Sequence, residues 1–234
     1  MSRIKDFDES VVIDDSFSSY IDGLLLGDGS LCIMGSNRRR GYITPSYSQA
    51  CVESEWIYTI SNYFKDCGII NQVHVTQSKR VNRGNEKPLY HIDTRRYKEF
   101  IDFHNRWYKR WYDIDSYPER FWHKDNGGEY YIWKKVVPSN INLSPMCVAN
   151  WYMGDGSLSN RKSGYDTLIL ATNGFSRGDV EYLSELLGFY YDIDTKLNKK
   201  NEIEIYTPFM VNRFLDLVRC NILQCFKYKL NYYR

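Results

Sequence analysis

Residues 21–29 read IDGLLLGDG and residues 148–156 read VANWYMGDG, and the pairing of these two stretches decides the fold. Each is a mostly apolar run that ends in Gly-Asp-Gly-Ser-Leu, so Asp28 and Asp155 close equivalent segments in the two halves of the chain. An internal repeat of this kind in 234 residues predicts two similar subdomains of roughly a hundred residues each.

The flanking patterns repeat as well. In the first half Ser16 is placed to cap a helix running to about Gly27, which Asp28-Gly29 breaks. A strand over 30–34, a basic turn over 37–41 and a strand over 42–49 with one polar face follow. An amphipathic helix over 53–67 ends at Gly68, residues 72–78 and 89–94 form a hairpin, and a helix spans 97–108. In the second half Pro145 opens a helix to Gly154. A strand begins near Leu158, 160–164 turns, and 166–172 is a strand. Ser176 caps a helix over 177–187, a hairpin pairs 194–198 with 202–206, and Pro208 opens the last helix, to Cys220. Both halves read αββαββα. The expected division is an acidic flexible tail over 1–15, a first repeat over 16–112, a linker over 113–144 and a second repeat over 145–234. Strands between helices predict an α+β fold whose antiparallel sheets carry helices on one face and leave the other free.

The composition is globular, with 43% hydrophobic and 26% charged residues and 21 Tyr. A net charge of +2 does not announce a nucleic-acid partner. The basic residues are clustered, however: Arg38–Arg40; Lys79, Arg80, Arg83 and Lys87 with Arg95, Arg96 and Lys98; and Lys196, Lys199 and Lys200. Taken singly, each cluster reads as a solvated surface; at related places in two repeats they create local fields that a near-neutral total hides. The six Cys form no CxxC pair and no zinc spacing, and Cys51, Cys67 and Cys147 read as small core residues. That usage predicts a reducing, intracellular and most simply cytoplasmic home. No apolar run approaches the ~18 residues of a membrane span.

Gly23 and Gly27 lie one turn apart on one helix face. Glycine costs about 1 kcal/mol against alanine inside a helix, so two on one face predict the close approach of another backbone. The equivalent residues in the second copy are Asn150 and Gly154, and the natural partners are the two motif helices themselves, packed across a pseudo-twofold axis. That packing brings Asp28 and Asp155 together at helix C-termini. Carboxylates about 4 Å apart repel by about 4 kcal/mol at an effective dielectric of 20, and the partly negative helix ends offer no relief. A hard divalent cation bound by oxygens is the economical remedy. One such Asp-Gly alone would read as a turn before a strand; two matched copies point to a site.

With these residues in view, the chain resembles the LAGLIDADG homing endonucleases in their single-chain, two-repeat form. The match is carried by Gly23, Asp28 and Gly29 at the third, eighth and ninth motif positions and by the second copy in SPMCVANWYMGDGS, residues 144–157. Leu26 and Met153 stand where the family motif has its sixth-position Asp, and Asn150 replaces the third-position Gly, so the contact there is expected to be looser or hydrogen-bonded. The resemblance implies that Asp28 and Asp155, with Gly27 and Gly154, bind magnesium (Mg²⁺, with Mn²⁺ as a substitute) at the base of a DNA-binding saddle. It also implies that Lys135 in KKVVP and Lys229 in YKL support the water and the scissile phosphate. Implied with it are hydrolysis of one phosphodiester on each DNA strand, short 3′ overhangs and a monomer built as an internal pseudo-dimer; the absence of a long apolar run separately predicts no membrane partner.

In the family the two sheets sit in successive major-groove stretches, where a two-stranded ribbon fits and base edges carry a distinct code. Alternation then nominates Ser30, Cys32, Arg38, Arg40, Tyr42, Thr44, Ser46, Gln72, His74, Thr76, Ser78, Arg80, Arg83 and His91 in the first half. Ser157, Ser159, Arg161, Lys162, Thr167, Lys196, Asn198 and Lys200 follow in the second. A one-residue slip would swap the faces. Unlike halves predict a long, asymmetric double-stranded DNA site. The rival readings are a maturase binding intron RNA on the same scaffold and a DNA-binding relative without cleavage. His123 and Asn126 in WHKDN lack the second His of an HNH nuclease and read as a loop, and Trp107, Tyr108, Trp111 and Tyr112 read as linker-side core.

Overall fold

The structure, a computed structural model, describes residues 13–32, 45–70, 72, 74–82, 85–110, 133–160 and 166–230. The first repeat runs α1 (Asp15–Leu26), β1 (Ser30–Cys32), β2 (Ser46–Cys51), α2 (Ser54–Asp66), β3 (Thr76–Asn82), β4 (Asn85–Asp93) and α3 (Phe100–Trp107). A short ribbon, β5 (Tyr108–Arg110) with β6 (Trp133–Lys135), leads to the second repeat. That repeat runs α4 (Pro145–Asp155), β7 (Gly156–Asn160), β8 (Asp166–Leu170), α5 (Arg177–Tyr191), β9 (Lys196–Leu197), β10 (Ile203–Ile205) and α6 (Pro208–Val218). Two 3-10 segments, Arg219–Asn221 and the seven-residue Gln224–Leu230, follow. The expected αββαββα order holds in both halves. The two antiparallel sheets have matching strand orders, β1-β2-β4-β3 and β7-β8-β10-β9, so the fold is α+β with an internal twofold plan.

The motif helices form the middle of the molecule. Every residue from Cys147 to Met153 is buried, and α1 buries Phe17 and the whole of 19–26. A helix apolar on all sides belongs inside, and one continuous cluster of buried side chains extends from α1 and α2 through α4 to α5 and α6. Local chemistry sets the ends. Asp14, not Ser16, caps α1 by accepting the Phe17 N–H at 2.8 Å, because residue 15 is already helical. Ser144 caps α4, and Ser176 forms a reciprocal capping box with Asp179. Gly68, in the left-handed region at φ 75°, lets the chain leave α2.

Several expected boundaries move. The β3–β4 hairpin is longer than the sequence pattern suggests: β3 starts at Thr76, leaving Gln72 and His74 ahead of it, and β4 begins at Asn85. Helix α5 continues to Tyr191 rather than stopping near Leu187. Cys147 is core as expected, but Cys51 and Cys67 are only half-buried.

Candidate functional site

The motif helices meet through their small residues. A methyl group on Gly23 would lie 2.7 Å from Cys147 Cα, and one on Gly154 would lie 3.2 Å from Gly27 Cα and 3.3 Å from Asp28 N. No side chain fits at Gly23, and one at Gly154 would press its neighbours back by a few tenths of an ångström. Asn150, in the place of the missing glycine, spans the seam by donating to the Tyr20 carbonyl at 3.4 Å. Ser19 completes the contact with hydrogen bonds to Ser144 Oγ and, at 3.3 Å, to the Asn142 carbonyl.

This packing brings the two acids to one place at the helix ends. Burial pushes the Asp155 carboxyl up to about 6, the Asp28 charge pushes the same way, and Lys135 and Lys229 pull against both. Both lysines are desolvated. Burial lowers each to about 8, against opposing pulls from Asp155 first and Asp28 second. Two acids and two ammonium groups therefore share one field.

Main-chain oxygens hold the lysines. Lys135 Nζ donates to Gly29 O at 2.8 Å and to Gly27 O at 3.3 Å. Lys229 Nζ donates to Met153 O at 2.7 Å, Gly156 O at 2.8 Å and Tyr152 O at 3.1 Å. An ammonium has three N–H donors, so all three of Lys229 are engaged. Each lysine thus sits on carbonyls at and just past the C-terminal end of one motif helix, where a cation is favoured. The ladder pair Tyr108↔Lys135 delivers the first, and the Gln224–Leu230 turn delivers the second. Composition and spacing do not reveal these acceptors, which exist only because the chain turns at Gly-Asp-Gly.

A second feature escapes the sequence pattern. Asp22, within the apolar run of α1, is fully buried, with its oxygens held by Trp107 Nε1 at 2.8 Å and Arg106 Nη2 at 2.9 Å. It ties the motif helix to α3, next to the ribbon that carries Lys135.

Strand register tests the alternation. The pairs Ser30↔Ser48, Cys32↔Ser46, Ala50↔His91, Thr76↔His91, Ser78↔Leu89 and Arg80↔Lys87 put Ser30, Cys32, Ser46, Thr76, Ser78, Arg80 and His91 on one face. Cross-strand partners share a face, and Tyr47, Gln49 and Ile92 occupy the opposite, buried one. Ser78 and His91 are hydrogen-bonded at 2.6 Å. In the second sheet Ser157, Ser159 and Lys196 are exposed on the corresponding face, with Lys200 exposed in the following turn. Two expectations need correction. Thr167 lies opposite Ser159 on that face but is 3% exposed, whereas Ile169, on the same face of the same strand, is half-buried. Asn198 has its amide engaged inside its own hairpin, donating to Glu202 and Glu204 and accepting from the N–H groups of Lys200 and Glu202. Arg38, Arg40, Tyr42, Thr44, Arg83, Arg161 and Lys162 lie outside the described residues, as do Trp111, Tyr112, His123 and Asn126.

The chemistry of the donor set suits a small hard cation. Among the described residues no three His, Cys, Asp or Glu side chains gather for a metal. The seam offers two carboxylates and main-chain carbonyls, and magnesium uses one or two carboxylates with water and phosphate completing its shell.

Comparison with known proteins places the chain. The model of the LAGLIDADG DNA endonuclease family matches residues 18–213. An uncharacterised protein of Methanocaldococcus jannaschii is 26% identical over 88% of this chain and 70% of its own length. The cytochrome b mRNA maturase bI2 of Debaryomyces hansenii is 26% identical over 94% of this chain and 76% of its own length. The probable intron-encoded DNA endonuclease 3 of Mycosarcoma maydis is 31% identical over 47% of this chain and 79% of its own length. In fold, the chain resembles the homing endonuclease I-WcaI, solved bound to its DNA recognition sequence. The TM-score is 0.67 at 19% identity, covering 93% of this chain and 86% of that one.

Proposed function

The chain belongs to the LAGLIDADG DNA endonuclease family, and we propose that it is a site-specific double-strand DNA endonuclease that uses magnesium to hydrolyse one phosphodiester on each strand of a long asymmetric site. The observation that carries this reading is the seam, where Asp28 and Asp155 share a field that leaves Asp155 at about 6 and where two lysines close on the same helix ends. Both acids are intact, which fits an active rather than a decayed member.

The residues divide the work. Asp28 and Asp155 would hold the ion, aided by the Gly27 and Gly154 carbonyls. When bound, the ion supplies an activated water and offsets charge at the scissile phosphate. Lys229, with every N–H engaged by a carbonyl, acts as a fixed positive charge beside the reacting phosphate, and Lys135 does the same from the first motif. Ser30, Cys32, Ser46, Thr76, Ser78, Arg80 and His91 in one sheet, and Ser157, Ser159, Lys196 and Lys200 in the other, would meet bases and phosphates. One chain carries both sheets that would meet the DNA, so it would act as a monomer.

A second reading, an intron-RNA-binding maturase on the same scaffold, draws on the Debaryomyces hansenii relative. Incubation with Mg²⁺ and a pooled duplex library separates the two. The nuclease reading expects linear products with matched ends from the wild type and none from Asp28→Asn or Asp155→Asn. RNA binding with no DNA product under any divalent ion would replace it with the maturase.

A further inference from the structure

Glu55 stands in the first turn of α2, in the first repeat, yet its carboxylate grips the end of the second. Glu55 Oε1 accepts the Gln224 N–H at 3.1 Å and Oε2 accepts the Cys225 N–H at 3.0 Å. These two residues open the seven-residue 3-10 turn Gln224–Leu230 that carries Lys229. The opening N–H groups of such a turn have no partner within it, and a carboxylate receiving both forms a charge-assisted, two-point attachment. The Glu55 charge also bears on the Cys225 thiol, which burial first and Glu55 second push up to about 12.

The neighbouring contacts continue the attachment toward the seam. Trp56, next to Glu55, packs edge-on against Phe226 with ring centroids 5.1 Å apart. The same indole lies against the second motif, since a methyl on Gly154 would lie 3.4 Å from Trp56 Cη2. At the far end of the turn Tyr152 Oη donates to the Lys229 carbonyl at 2.7 Å, and Lys229 Nζ rests on the three motif carbonyls.

We propose that Glu55 is a positioning residue for Lys229: the first repeat holds, through one carboxylate, the turn that delivers the lysine to the second motif. The assignment rests on the nuclease reading and deepens it. Lys135 is placed by its β5–β6 ladder, so the two lysines have separate supports, and loss of Glu55 disturbs only one of the two cleavage centres.

Strand-specific cleavage of a plasmid bearing a library-selected site tests this. Lys229→Met identifies the strand that Lys229 serves. Glu55→Ala slows the same strand by about tenfold to a hundredfold, the scale of a displacement near 1 Å, while the other strand keeps its rate and nicked circles accumulate. Glu55→Gln, which keeps one accepting oxygen, falls between wild type and Glu55→Ala. Equal slowing of both strands, or no change in either, overturns the assignment. If the wild type cuts no duplex, the nuclease reading fails on its own. Amide exchange at Gln224 and Cys225 and acylation of the Lys229 amine then decide the positioning role. Glu55→Ala exposes both amides and speeds acylation about tenfold or more; unchanged exchange and acylation overturn it.

Discussion

Asp155 couples the site to pH through the sign of its shift. Its folded-state value of about 6 lies above the ordinary carboxylate value. The folded protein without metal therefore keeps a proton that the unfolded chain releases, and stability falls as pH rises from about 4 to about 6. A bound cation needs the ionised form, so protons compete with it below about pH 6, by about tenfold in apparent affinity per pH unit. Magnesium should raise Tm clearly at pH 7.5 and hardly at pH 5, and scanning calorimetry at the two pH values checks this; equal shifts would mean that the ion does not use Asp155. At Asp22 burial is complete, but Arg106 keeps 25% of its side-chain exposure. Asp22→Ala leaves a partly hydrated guanidinium and one buried indole N–H, so urea unfolding should show a loss of about 1–3 kcal/mol rather than the larger cost of stranding a fully buried charge. Asp28, Asp155, Lys135 and Lys229 were legible in the sequence, the acids because they are duplicated and the lysines through the family resemblance. Asp22 was not, because a single acid in an apolar run gives no periodic signal of the Trp107 and Arg106 that meet it from across the fold.

At the scale of elements, the α1–α4 seam leaves no room for a side chain at Gly23. The obstacle is Cys147 backbone, which cannot swing aside, so Gly23→Ala should cost about 3 kcal/mol or more. Gly188 in α5 has open space where a Cβ would be, and Gly188→Ala should gain up to about 1 kcal/mol from helix propensity. Chemical denaturation of the two variants side by side checks the contrast, and a mild Gly23→Ala would mean that the helices do not meet as described. The small-residue spacing announced this seam, because glycine inside a helix has a cost that only a close neighbour explains. The strand β4 begins ahead of the expected residue 89 and takes in Pro88, a residue that usually interrupts a strand. Pro88 pairs with Lys79 on β3, beyond the point where β2 stops pairing at Tyr90, so its missing N–H faces an open edge. Thr167 lies on the face that alternation assigns it but is buried there, because alternation fixes which side a residue faces and not how much of it stays accessible.

Across the whole molecule, two copies of one unit share a single core and present two unlike sheet faces, and the acids meet only because the chain closes on itself. The αββαββα order was readable from the repeated pattern. The hold of each lysine on the helix-end carbonyls was not, because it joins segments more than seventy residues apart in sequence. The unlike halves predict that cleavage requires both half-sites in one order; exchanging them in the selected duplex should abolish cutting, as end-labelled substrates would show. The most direct test of the central claim is anomalous scattering from Mn²⁺ in crystals of the protein on the duplex it selects. Metal density is expected within coordination distance of both the Asp28 and Asp155 carboxylates. Density elsewhere, with none at the seam, would contradict the claim.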